Sequence, residues 1–458
     1  MPMLDRRRFL AGFGAAGLVL PTAAGAQGLA GIELTSMRGS ISAAELGVYP
    51  AAFDDQSRTF SRMLQAASDS NMPVFLPPGD YVVSNLALPR NVRLSGVPGA
   101  TRIVYGGDGH LMLAEDAEHI ELAGLTIDGA NRWLGDHAQA IFEARRVRHL
   151  VIDNCTMVGS AKNAIAIERA SGRIERSSIS GAAEAGIYSV EGGRLQITGN
   201  TVVGCGNGGI LVHRWQPAAD GTIITGNRIE GIQATRGGTG QNGNGINIFR
   251  ADNVVVANNV VSGCAFSAIR ANSASNIQIT ANNCSASGET AIYAEFAFQG
   301  AVTSSNIVDG AASGISMVNF DQGGRMAVCA GNLVRNLSPD GPYSANPPGF
   351  GVGIAVEADA SVTGNVIEGA PLHGIGIGWG AFMRNVVATG NVIREAGRGI
   401  AISVVEGTGS AVVSDNVIAG AKRGAIVGME WAKPVTGDLA LARGSGYRHL
   451  TIERNQVG

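Results

Sequence analysis

An Asn set after one or two small residues and before a pair of β-branched ones returns about every 25 residues through most of this chain, the spacing of a repeat protein. It reads TGNTVVG at 198–204, TGNVIEG at 363–369, TGNVIREAGRGIAIS at 389–403 and SDNVIAG at 414–420. The Asn stands at 154, 200, 227, 259, 283, 306, 332, 365, 391 and 416, with Ser177 midway across the widest gap. A Gly-rich bend and a Gly-Ile-x-Ile run complete each unit. Such a unit is too short to bury its own apolar side chains, and stacking on the same positions of its neighbours buries them: this is one coil of a β-solenoid. The short Asn side chain suits a sharp bend, and its amide can bond the next coil as a ladder. Amphipathic helices are excluded, because the apolar residues alternate with period two and Gly or Asn interrupts each run. Leucine-rich repeats fit poorly: the repeated residues are Ile and Val, with no helix-forming segment between strands.

Composition fits many tight corners around a thin core, with 66 Gly in 458 residues, 5% aromatic and 16% charged. No linker interrupts the repeat, so one elongated domain is expected over 49–458, with 27–48 as an extension. A net charge of -3 supplies no global field for nucleic acid or an anionic membrane, and an acidic ligand would need a local Arg.

Residues 1–26 read as an export signal. Arg6-Arg7-Arg8-Phe9-Leu10 precedes an apolar stretch from Ala11 to Leu20, and Ala24-Gly25-Ala26 offers a cleavage site before Gln27. The apolar part is too short to span a bilayer, so no stable membrane span is expected. Gly12, Gly14 and Gly17 formally match a dinucleotide fingerprint, but no strand precedes them and the segment would be removed; no cofactor is expected. The twin-arginine order implies the translocase as a transient partner and a periplasmic or secreted location.

Asp54-Asp55-Gln56-Ser57 can cap a helix whose Phe60, Met63, Leu64 and Ala67 share one face, and Leu76-Pro77-Pro78-Gly79-Asp80-Tyr81 then turns into extended chain. This Asp-Asp, helix and Leu-Pro-Pro-Gly-x-Tyr order resembles the N-terminal part of pectate-lyase-like parallel β-helix proteins. The whole chain, with its Asn-ended coils and the insertion beginning at Glu430-Trp431, resembles uncharacterised twin-arginine-translocated repeat proteins. The resemblance implies an all-β, right-handed single-stranded parallel β-helix with an N-terminal capping helix. It does not choose among the lyases, hydrolases, epimerases and binding proteins of that superfamily.

Chemistry must sit on outward positions. In Gly-Ile-x-Ile both Ile point inward, so x and the residue after the second Ile point out. The first outward column then reads Phe142, Ala166, Tyr188, Leu211, Asn247, Arg270, Tyr293, Ser316 and Ala355, and the second Ala144, Glu168, Val190, His213, Phe249, Asn272, Glu295, Val318 and Glu357. The chemically rich stretch predicts Arg270, Tyr293 and His213 as catalytic residues and Asn247, Tyr188, Phe249, Asn272 and Glu295 as substrate contacts. Arg270 would neutralise a uronate carboxylate while Tyr293 or His213 takes the C5 proton, giving a polysaccharide lyase or C5-epimerase. The alternative is a non-catalytic periplasmic glycan-binding or structural protein. Insertions at 228–244, 333–350 and 422–450 would wall the groove or be tolerated loops. Five Cys without a C-x-x-C read as small buried residues, and no metal is expected.

Overall fold

The computed structural model describes residues 39–51, 55–238, 240–442 and 446–458. The expected export signal and Asp54 lie outside these residues, as do Thr239 and 443–445 within two of the insertions. Each coil carries three short strands. The first sheet holds His149–Asp153, Gly172–Glu175, Gln196–Thr198 and their successors, 16 strands in all among the described residues. The second holds Thr156–Val158, Ser178–Ser180 and Thr201–Val203, and the third Ala140–Arg145, Asn163–Glu168 and Ala185–Val190. In two coils a single long strand, Asn283–Glu295 or Ile307–Met317, runs through the corner between second and third sheets.

Pairing between successive coils is parallel, and its register carries the core. Ile165, Ile187, Ile210, Ile246, Ile269, Ile292, Ile315, Ile354, Ile375, Ile400 and Ile426 follow one another rung by rung. All are buried, and burying each contributes about 2 to 3 kcal/mol. A helix, α1, spans Ser57–Asp69 with Phe60, Met63, Leu64 and Ala67 as its buried residues. Asp55 Oδ1 accepts the Ser57 N–H at 2.7 Å, and the Phe60 ring meets Tyr81 edge-on with centroids 6.3 Å apart. Sheet pairing begins ahead of Tyr49, because Ile41–Ser42 pairs with Val74–Phe75.

The Asn ladder exists, with corrections to its membership. It runs Asn200, Asn227, Asn259, Asn282, Asn306, Asn332, Asn365, Asn391, Asn416 and Asn455, each backbone N–H donating to the next side-chain carbonyl. Asn282, not Asn283, occupies its coil. Below Asn200 the ladder continues through Ser177 to the Cys155 N–H, not to Asn154. The reason is the backbone: the residue before each ladder position is left-handed, as in Gly199, Gly364 and Gly390, and Asn154 (φ 49) and Ala281 (φ 55) fill that slot. The unusual angles thus belong to the residue before the ladder Asn, and the Asn itself supplies the hydrogen bonds. All five cysteines are buried and free; burial pushes the Cys155 and Cys205 thiols up to about 11.

Candidate functional site

The third sheet presents the outward columns. Tyr188, Leu211, Asn247, Arg270, Tyr293, Ser316, Ala355, Gly376 and Ala401 are Cα partners on successive rungs. The N-terminal end of both columns needs correction: Phe142 and Ala144 pair with Ile165 and Ile167 and are buried inward, so Glu143 and Arg145 are the outward residues. Ile141 stands where later coils have Gly or Ala, so the run reads as if its alternation began one residue early.

Arg270 is already engaged. Its Nε donates to Glu295 Oε1 at 2.6 Å and its Nη1 lies 3.8 Å from Glu289 Oε2, with the arginine side chain 11% exposed and both glutamates 3%. Asn272 Nδ2 donates to the same Glu295 oxygen at 3.0 Å. The guanidinium also lies 5.5 Å from the centre of the Tyr293 ring. Its charge is thus shared between two protein carboxylates, with Nε committed to Glu295 and the buried Nη1 left without a hydrogen-bond partner. Removing it would leave two desolvated carboxylates without a cation. Arg270→Ala is expected to cost roughly 3 kcal/mol at neutral pH. Burial raises the Glu295 pKa, so protonation in acid should relieve part of that loss. Urea midpoints of both proteins at two pH values check it, and an unchanged midpoint would remove the ion pair from the account.

The other expected residues are positioned as follows. His213 lies between Tyr188 and Phe249, centroids 5.4 and 5.7 Å away, with Nε2 buried and unpartnered. Burial holds its pKa down to about 4, and Phe249 and Asn272 separate it from Glu295 along the second column. Asn247 is buried with Oδ1 unpartnered. Tyr293 lines the open space beyond, and burial lifts its phenol well above the ordinary range.

The open space lies farther along the column than its polar residues suggest. A cleft of about 340 Å³ sits over Tyr293, Ser316, Ala355, Gly376 and Ala401. Its floor is low because the outward side chains there are small. The insertion before Phe350 forms one wall with Tyr343, Pro347 and Phe350, and Trp379 and Trp431 form the other. Tyr343 stacks on Phe266 and donates its hydroxyl proton to Glu289 Oε1. Trp379 and Trp431 meet edge-on at 5.5 Å. Of these groups only Tyr293 was anticipated as a site residue. Glu289, Tyr343, His373, Trp379 and Trp431 were not, because loops and corners, unlike the strand period, leave no register in sequence.

Two carboxyl groups line this cleft, Glu289 and Glu357. Glu357 is 7% exposed and accepts the Phe320 N–H at 2.6 Å. Burial, augmented by the charge of Asp321, raises its pKa to about 7. His373, on the opposite edge, is held down to about 4 by burial and by Arg398 and Arg423. The cleft thus combines aromatic walls, a carboxyl whose pKa burial raises toward neutrality, and a second carboxyl group held by Arg270 and Tyr343. No cluster of His, Cys, Asp and Glu suited to a metal occurs among the described residues, and no helix among them is long and apolar enough to cross a membrane.

No curated protein matches the sequence. Among solved structures, the chain is similar to the pre-mature gene product 12 of bacteriophage phi29, with TM-score 0.50 and 17% identity over 89% of this chain and 57% of that one. It is also similar to the N-terminal fragment of the same phage protein, with TM-score 0.48 and 17% identity over 90% of this chain and 74% of the fragment. A third likeness is to the A-module of the mannuronan C-5 epimerase AlgE4 of Azotobacter vinelandii, at TM-score 0.41 and 16% identity, covering 90% and 99%. At these identities the likeness speaks for fold alone. The family model for the right-handed β-helix region matches residues 101–240 and 218–384, more than half the sequence, and together with the three-stranded parallel coils this shows that the chain belongs to the right-handed β-helix family.

Proposed function

We propose that this protein is exported through the twin-arginine route and holds a glycan in the cleft between Tyr343 and Trp431, where Glu357 transfers a proton during cleavage of the chain. The observation that carries the reading is Glu357 itself, a carboxyl with a pKa raised to about 7 in a cleft walled by aromatic rings. Aromatic faces stack on the apolar faces of sugar rings. A carboxyl that retains its proton at neutral pH can protonate a glycosidic oxygen. Arg270, paired with two glutamates, and His213, enclosed by rings, support a uronate lyase or C5-epimerase less directly than Glu357 supports acid catalysis. Asn247, Asn272 and Glu295 serve the Arg270 end of the groove in this reading.

The test is incubation of the mature protein with a panel of neutral and uronic-acid polysaccharides, following both new reducing ends and the ultraviolet absorbance of unsaturated products. Reducing ends without unsaturation mean hydrolysis, and unsaturation means elimination. Binding without either product would leave a glycan-binding protein.

Gly376 offers a check that spares the fold. A Cβ placed there meets nothing closer than Val352 Cγ1 at 3.8 Å, so a larger side chain fits and rises into the cleft. Gly376→Leu is expected to leave the thermal midpoint within about 2 °C while weakening binding of any glycan found in the panel at least tenfold, as read by affinity electrophoresis. Unimpaired binding would place the glycan elsewhere.

A further inference from the structure

Three successive coils place a basic residue just before the glycine that opens the third-sheet strand: His373-Gly374-Ile375, Arg398-Gly399-Ile400 and Arg423-Gly424-Ala425-Ile426. His373 and Arg398 are Cα partners on adjacent strands, so their backbones lie about 4.8 Å apart. His373 is 4% exposed and Arg398 9%. His373 Nδ1 and Arg398 Nε are buried and have no protein hydrogen-bond partner. Arg423 lies across the same corner, its Nη2 donating to the carbonyls of Pro371 at 2.9 Å and Leu372 at 3.3 Å. Gly397 makes room for it, since a Cβ there would come within 2.2 Å of that Nη2.

Charge distinguishes this corner from the rest of the sheet. Arg145 and Arg270 each meet a buried glutamate. Arg398 has no ion-pair partner among the described residues, and the charge it feels is that of a second arginine. A buried guanidinium beside another cation, without a counter-ion, is expensive to maintain. Planar guanidinium forks suit an oxyanion, and an imidazole with a free nitrogen can add a hydrogen bond. His373 lines the cleft, as does Ala401 on the strand of Arg398, so the corner borders its far end, away from Arg270, with His373 as the member that reaches it.

We infer that His373, Arg398 and Arg423 form an oxyanion subsite that takes the carboxylate or sulfate group of an acidic sugar in the cleft. This rests on the glycan reading above and moves charge recognition from Arg270 to the opposite end of the groove. The experiment uses the whole mature chain at constant ionic strength, titrated calorimetrically with sodium glucuronate, sodium sulfate, glucose and sodium chloride, for wild type, for Arg398→Gln and Arg423→Gln, and for Asn283→Ala, an exposed residue outside the cleft.

Saturable binding of glucuronate or sulfate, absent with glucose and chloride, is expected, with affinity reduced at least tenfold in Arg398→Gln and Arg423→Gln and within twofold of wild type in Asn283→Ala. Glucuronate alone would identify a uronate, sulfate alone a sulfated sugar. Arg398→Gln should also melt no lower than wild type without anion, because it removes an uncompensated charge. Absence of binding by both anions, equal binding by the arginine variants, or a markedly lower melting temperature for Arg398→Gln would each overturn the subsite. Anion binding of the expected kind with no glycan retained by the cleft would sustain the subsite and sink the glycan reading instead.

Discussion

Asn365→Leu should come close to unfolding the protein. Asn365 Nδ2 donates to the Cys329 carbonyl and to Asn391 Oδ1, both at 3.0 Å, while its Oδ1 accepts the N–H of Asn332 and the Asn332 side-chain amide, both at 2.9 Å. The residue is fully buried. Leu would fill the space and leave the Asn332 N–H, the Asn332 amide and the Cys329 carbonyl without these partners. At about 1 to 3 kcal/mol for each buried group left unmade, the loss over these three groups is roughly 3 to 9 kcal/mol. A neighbour gives the control, for Asn283 is exposed and stands beside the ladder without belonging to it. Asn283→Ala should shift the urea midpoint little. Equal midpoints for the two variants would show that the ladder carries no special energy.

The same pair of residues shows how far the sequence could be read. Period-two alternation and recurrent Asn identify the coils, because stacking forces every coil to repeat the same inward residues. The register of Tyr188 through Ala355 follows from the Gly-Ile-x-Ile runs and appears rung by rung in the structure. Where two Asn adjoin, at 282 and 283, sequence alone cannot say which is turned inward. Where an Ile takes the place of the Gly of the run, as Ile141 does before Phe142, the alternation can be read one residue out of step. The cleft was harder still. A column of polar residues suggested chemistry around Arg270, whereas the space for a ligand lies over Ser316, Ala355, Gly376 and Ala401, a run of small residues farther along that column. A cavity is made by what the side chains leave empty, and its walls come from segments distant in sequence, the loop bearing Tyr343 and the hairpin whose turn carries Trp431.

Glu357→Gln is expected to reduce turnover of the glycan identified in the panel by about 10² to 10⁴-fold, the range for loss of a positioned proton donor, while binding persists because the aromatic walls are untouched. Wild-type activity should fall as pH rises through about 7, where Glu357 gives up its proton. Stability provides a second readout independent of substrate. The folded-state pKa of Glu357 is raised from the ordinary value of 4.5 to about 7, so the folded protein binds the proton more tightly than the unfolded chain. Its contribution is fully present below 4.5, declines as pH rises through the interval and is lost above about 7. Between those limits wild type should lose about 3 kcal/mol relative to Glu357→Gln, whose amide cannot ionise. Chemical denaturation of both proteins at pH values on either side of the interval measures the difference. A constant gap between the two curves would mean that Glu357 titrates normally, and the proton-donor assignment would then fail along with the pH dependence of turnover.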